Sequence, residues 1–146
     1  MKKQFLFTAL LACAGLFSMA QEVKVITIVE SIVPGGIGRS RIIEHQESAD
    51  AKLFTTSRTE GKDSDQKGVK RKDLKLDRFD ETKLLNFYSL AGINFQNIAS
   101  NDAIISGKLN DLLAQGWKII FVTSGVESAG DKDPNGIFIT RFILQK

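Results

Sequence analysis

Residues Ser100–Val126, SNDAIISGKLNDLLAQGWKIIFVTSGV, change periodicity once, and the change decides the fold. Ile105, Leu109, Leu112 and Leu113 recur at three- and four-residue spacing, the apolar stripe of a helix lying on a core. Ser100 or Asn101 can cap its start, because a short polar side chain accepts from the free amides of the first turn. Gly116 suits the left-handed residue that ends it. From Trp117 the period falls to two: Trp117, Ile119 and Phe121 alternate with Lys118, Ile120 and Val122, predicting a strand to about Val126.

Two β-ribbons flank this helix. Between Val23 and Val33, the residues Val23, Val25, Thr27 and Val29 alternate with Lys24, Ile26, Ile28 and Glu30, a β-branched strand with apolar residues on both faces. Pro34-Gly35-Gly36 then supplies the fixed and the positive φ of a type II turn, and the chain returns as a second strand from Gly38 to about His45. Downstream, a polar loop over Glu127–Gly136 separates the Trp117 strand from a last strand, Ile137–Leu144. At an offset of 100 residues Pro34 meets Pro134, Gly36 meets Gly136, Arg41 meets Arg141 and Ile43 meets Ile143. Duplication of one strand–turn–strand unit and convergence on common turn chemistry both account for the match.

These elements predict an α+β domain: an antiparallel sheet of four or more strands built from two similar hairpins, with one main helix packed on one face. The opposite face is also partly apolar and needs a cover. Leu84–Phe95, a polar segment or a second copy of the protein can supply it. That polar segment, about Gln46 to Lys83, reads as an insertion in the single domain 21–146, with weak strand signals at Leu53–Thr56 and Asp73–Phe79. Leu84–Phe95, LLNFYSLAGINF, reads as a strand or turn covering part of the sheet, since Gly92 argues against a continuous helix.

The N-terminus has the layout of a secretory signal peptide: Lys2 and Lys3, an apolar stretch from Phe5 to Phe17, then Ser18-Met19-Ala20 before a cut at Gln21. The 126 residues after that cut hold 18 basic and 17 acidic side chains, so the whole-chain charge of +3 falls to +1 and carries no argument for nucleic acid. Cys13, the only cysteine, lies within the signal, leaving no thiolate for catalysis or metal binding after it. Leu10-Leu11-Ala12-Cys13 also permits a lipoprotein anchored through Cys13. Both readings export the protein, periplasmic or extracellular. No later apolar run approaches the ~20 residues of a transmembrane helix.

The ending LNDLLAQGWKIIFVTSG, a loop, and GIFITRFILQK resembles small secreted bacterial proteins with a domain of unknown function, in which a Leu-Asn helix runs through Gly-Trp into a C-terminal hairpin. VESIVPGGIGRSR at Val29–Arg41 and NFYSLAGINF at Asn86–Phe95 are similar to stretches of the same proteins. The resemblance implies a fold, and neither a cofactor nor a catalytic residue.

Catalytic signals are sparse. His45, between Glu44 and Glu47, reads as an exposed strand-end histidine, and no nucleophile elbow or zinc-binding helix motif is present. Gly35-Gly36-Ile37-Gly38-Arg39 lacks the third glycine and the helix of a dinucleotide site. A plain hairpin turn accounts for it, with anion binding by Arg39, Arg41 and the matching Arg141 as the functional alternative. Asp131, Asp133 and Asn135, followed by Gly136, match the first half of a calcium loop, and Glu127 can add a carboxylate. Position twelve of that loop is Phe142 rather than glutamate, so calcium is the one cofactor in play and turn chemistry the simpler account. Lys67, Lys70, Arg71, Lys72, Lys75 and Arg78 lack the interleaved aromatics of a nucleic-acid surface and read as a solvated segment.

The function expected is therefore an exported, non-enzymatic interaction or ligand-binding domain, acting through self-association or on an envelope component. The alternatives are an envelope-polymer hydrolase using paired carboxylates and a calcium-binding structural protein.

Overall fold

The computed structural model describes residues 21–33, 39–127 and 136–146. The signal segment, the Pro34–Gly38 turn and Asp131, Asp133 and Asn135 lie outside them. Strands β1 (Val23–Ser31) and β2 (Arg41–His45) pair antiparallel, and β3 (Phe79–Lys83) pairs with β2. A two-stranded hairpin follows, β4 (Tyr88–Ser89) with β5 (Gly92–Ile93), then the helix α1 (Phe95–Ala114), then β6 (Lys118–Glu127) and β7 (Ile137–Gln145). Strand β7 pairs along the whole length of β1, giving one five-stranded antiparallel sheet in the order β3-β2-β1-β7-β6. The α+β fold and its antiparallel sheet are those the periodicities predict. Each ribbon is a hairpin, and α1 carries the chain from one sheet edge, β3, to the other, β6.

Period-two alternation divides the sheet into two faces. Ile26, Ile28, Ile42 and Leu144 point to one side and are buried with Leu84, Leu112 and Trp117, while Ile105 and Phe142 pack against the cluster. Leu112 and Ile105 bring α1 onto this face. Trp117 sits at the end of the helix, where Gly116 (φ +93°) reverses the chain. The amide of Trp117 donates to the Leu112 carbonyl at 3.1 Å and that of Gly116 to Leu113 at 2.9 Å. This bond pair, with Leu112 and Trp117 both in the core, is the helix stop that the glycine predicts.

The structure corrects the helix start. Asn94, not Ser100 or Asn101, is the cap: its side chain accepts from the Asn97 amide at 3.1 Å, and the helix runs for 20 residues. Its first two turns turn inward a single apolar residue, half-buried Ile98, beside half-buried Asn97 and fully buried Asn101, too little to mark an apolar stripe. The Leu53–Thr56 strand signal is a 3₁₀ turn, Ala51–Phe54, capped by Asp50, whose carboxylate accepts from the Lys52 amide. The second signal shifts: β3 begins at Phe79, leaving Leu74 and Leu76 exposed. In β6 a bulge at Ile120 breaks the register, pairing Ile119 with Leu144 but Phe121 with Ile143. Ile119 and Phe121 therefore sit on opposite faces, where uninterrupted alternation places them together. The segment Leu84–Phe87 is tied down by its backbone, with Leu84 donating to Ser40 and Phe87 to Ser31.

Candidate functional site

The helix-facing side holds two buried carboxylates. Glu30, in phase with Ile26 and Ile28, is 8% exposed and accepts from Asn101 Nδ2 at 3.0 Å. Burial pushes its carboxyl above the ordinary range; the Asn101 bond works against that and the nearby Asp102 charge adds to it. Asn101 also closes a two-bond clasp on Leu85, donating to its carbonyl at 2.7 Å and accepting from its amide at 2.8 Å. Glu44 is 5% exposed between Lys24 (2.7 Å) and Lys108 (2.5 Å). Burial opposes its ionisation, yet the two ammonium groups outweigh it and hold the carboxyl below the ordinary range. Lys24 also lies over the Trp117 ring at 5.1 Å.

These two carboxylates do not form a catalytic pair. Glu44 is in register with Ile26, four residues from Glu30 along β1, which at ~3.3 Å per residue is roughly 13 Å. Glycosidic acid–base pairs work at about 5–9.5 Å. Asn101 serves one carboxylate and Lys108 the other, two helical turns apart, with core isoleucines between them. They fasten the helix to the sheet.

Among the described residues, α1 packs only on the first face and leaves the other open. One cross-sheet row reads Glu81, Ile43, Thr27, Arg141, Thr123, and the next reads Lys83, Arg41, Val29, Ile139, Gly125. Val25, Val29, Ile43, Ile139 and Ile143 are only half-buried there, and Phe121 is 57% exposed. Above Gly125 lies a depression of about 380 Å³ bordered by Thr123, Glu127, Ile137, Ile139 and Arg141. A Cβ added to Gly125 would meet nothing within 4 Å.

The sequence-predicted residues divide around this depression. Arg141 and Glu127 both line it. Arg41 lies on the same face two strands away, bonded to Glu81 at 2.6 Å, and Arg39 is exposed just before β2. The three arginines are thus spread over the sheet rather than gathered on one point. Among the described residues no group of three His, Cys, Asp or Glu side chains converges on a metal position. His45 donates through Nδ1 to the Glu47 carbonyl at 3.0 Å and is half-buried. The basic segment 67–78 is exposed apart from Val69, and Arg78 pairs with Glu47 at 2.7 Å. No helix among the described residues is long and apolar enough to cross a membrane, which leaves strands unaddressed.

Sequence reasoning missed the Glu30–Asn101 and Glu44–Lys108 contacts. Their signal is phase: Glu30 shares the parity of Ile28, and Asn101 and Lys108 share the helical stripe of Ile105 and Leu112. Compared with protein-family models, curated proteins and solved structures, the chain has no match in any of the three.

Proposed function

We propose that the protein is an exported, non-catalytic interaction module whose working surface is the sheet face turned away from α1, together with the edge of β6. The observation that carries this reading is the asymmetry of the sheet. One face is closed by the helix through buried apolar and ionic contacts, while the other presents half-buried aliphatic side chains, an exposed Phe121 and the Gly125 depression. Contiguous apolar surface of this kind is a feature of binding sites. Arg141 and Thr123 give the depression a cationic and a hydroxyl group beside apolar Ile137 and Ile139, which suits an apolar group carrying an anionic or polar end. Export is supported by Lys2-Lys3, the apolar Phe5–Phe17 stretch and Ser18-Met19-Ala20.

The test is titration of dilute protein with anilinonaphthalene sulfonate, an apolar anion whose fluorescence rises on binding. The folded protein enhances the fluorescence, and Arg141→Glu and Ile139→Ser each weaken binding several-fold with little change in melting temperature. A folded protein that leaves the probe unenhanced overturns the reading.

A further inference from the structure

Resting on the interaction-surface reading above, we propose that the partner taken up by β6 is a second copy of this chain, added edge to edge in an antiparallel pairing centred on Thr123. The two edges of the sheet are unlike. In β3, Asp80, Glu81 and Lys83 put three charges on a five-residue strand, the usual protection of an edge against further pairing. In β6 the eight residues Ile119–Val126 carry no charge and no proline, and all ten residues of the strand are exposed. Ile120, Phe121, Val122 and Val126 are each about half or more exposed. Charges stand only at its ends, Lys118 and Glu127, and neither makes an ion pair among the described residues.

Self-complementarity fixes the register. A two-fold axis normal to the sheet pairs residues of the same face. With Thr123 on the axis, Val122 lies opposite the partner's Ser124 and Phe121 opposite the partner's Gly125. The bulge at Ile120 then lets Ile119 and Ile120 share the partner's Val126, so that Lys118 meets the partner's Glu127. Without the bulge those two ends would miss by one residue. Each Phe121 thereby lies beside the partner's Gly125, where the depression gives room for a ring against Ile139. An aromatic side chain opposite a strand glycine is a stabilising cross-strand arrangement. The result is a ten-stranded sheet with both helices on one face and the two open faces joined.

Sedimentation of the purified protein over a micromolar-to-millimolar range, read with charge and cysteine variants, tests this. Wild type shows a concentration-dependent monomer–dimer equilibrium. Lys118→Glu or Glu127→Lys alone raises the dissociation constant by roughly tenfold, counting two opposed pairs per dimer, and the double exchange restores it. Thr123→Lys, which sets two ammonium groups side by side on the axis, leaves a folded monomer. In a Cys13→Ser background Thr123→Cys oxidises to a covalent dimer, since directly opposed antiparallel positions have the Cα spacing of a disulfide, whereas Val122→Cys and Ser124→Cys do not. A wild-type protein that stays monomeric overturns the proposal; if it still binds the sulfonate probe, the interaction surface stands with another occupant, and if it does not, both readings fail. A dimer indifferent to the Lys118 and Glu127 reversals also overturns it.

Discussion

Asn101 Nδ2 donates to Glu30 Oε1 at 3.0 Å across the helix–sheet interface, joining two residues 71 positions apart in the chain. The same amide group completes both backbone bonds of Leu85. One side chain thus ties α1, β1 and the segment after β3 together. Asn101→Ala leaves the Leu85 amide, the Leu85 carbonyl and the Glu30 carboxylate without this partner, and buried polar groups left unpaired are expensive. The expected loss is roughly 2–4 kcal/mol of unfolding free energy, checked by urea denaturation; a change below about 0.5 kcal/mol, the usual range of a surface substitution, contradicts the role given to Asn101.

Glu44 predicts an acid-sensitive contribution. Its folded carboxyl lies below the unfolded value of 4.5, so its stabilisation is complete above about pH 4.5 and is lost as pH falls through the depressed folded value. Glu44→Gln leaves Lys24 and Lys108 without a buried counter-charge and costs about 1–3 kcal/mol at pH 7. The gap from wild type closes on acidification, measured by chemical denaturation across pH 7 to 3. A gap independent of pH speaks against the ionic account.

Glu30 has the opposite sign. Its folded carboxyl is raised, so its contribution is fully present below the unfolded value of 4.5 and is lost as pH rises through the folded one. Glu30→Gln keeps an oxygen for Asn101 Nδ2 and removes the buried charge. The variant should match or exceed wild-type stability at pH 7, by up to about 1 kcal/mol, with the advantage vanishing in acid. Destabilisation at neutral pH would show that the carboxylate itself is required.

Gly116 adopts φ +93° between Leu113 and the core Trp117. A side chain there is strained, although the nearest atom to an added Cβ is the flexible Lys146 Cε at 3.6 Å. Gly116→Ala should cost about 1 kcal/mol, while Gly107→Ala, in the open middle of α1, should stabilise by a similar amount. Thermal melts of the two variants moving in the same direction would contradict this assignment.

Lys67, Lys70, Arg71, Lys72 and Lys75 lie exposed in a stretch whose only regular element is the 3₁₀ turn Gln66–Gly68. Trypsin under native conditions should cut there first, since exposed backbone outside the sheet and helix opens at low cost. First cleavage at Lys118 or Arg141, on the strands, would be inconsistent with the sheet described.

The fold was largely legible in sequence because two signals are local. The change of period at Trp117 and the β-branched alternation from Val23 mark helix and strand, and Gly116 needs only its own φ to end the helix. What escaped depends on partners distant in sequence. The inward face of the first half of α1 holds Asn97 and Asn101 with Ile98 as its apolar residue, too weak a stripe to place the start, and the expected caps Ser100 and Asn101 lie six and seven residues beyond Asn94. Strand β3, FDETK, has edge composition and forms through its register with β2 rather than through its own hydrophobicity. The bulge at Ile120 is invisible to a period-two count, and it moves Phe121 to the open face. The sequence points to Arg141 for anion binding and to Glu127 for calcium, and only the pairing of β6 with β7 brings them to one depression.

Hydrogen exchange along β6, followed as protein concentration is raised, tests the assignment of this edge as the self-pairing one most directly. Alternate amides of Phe121–Gly125, those pointing away from β7, should gain protection with concentration while those of β3 stay unchanged. Exchange in β6 that is independent of concentration, or protection appearing at β3 instead, would contradict it.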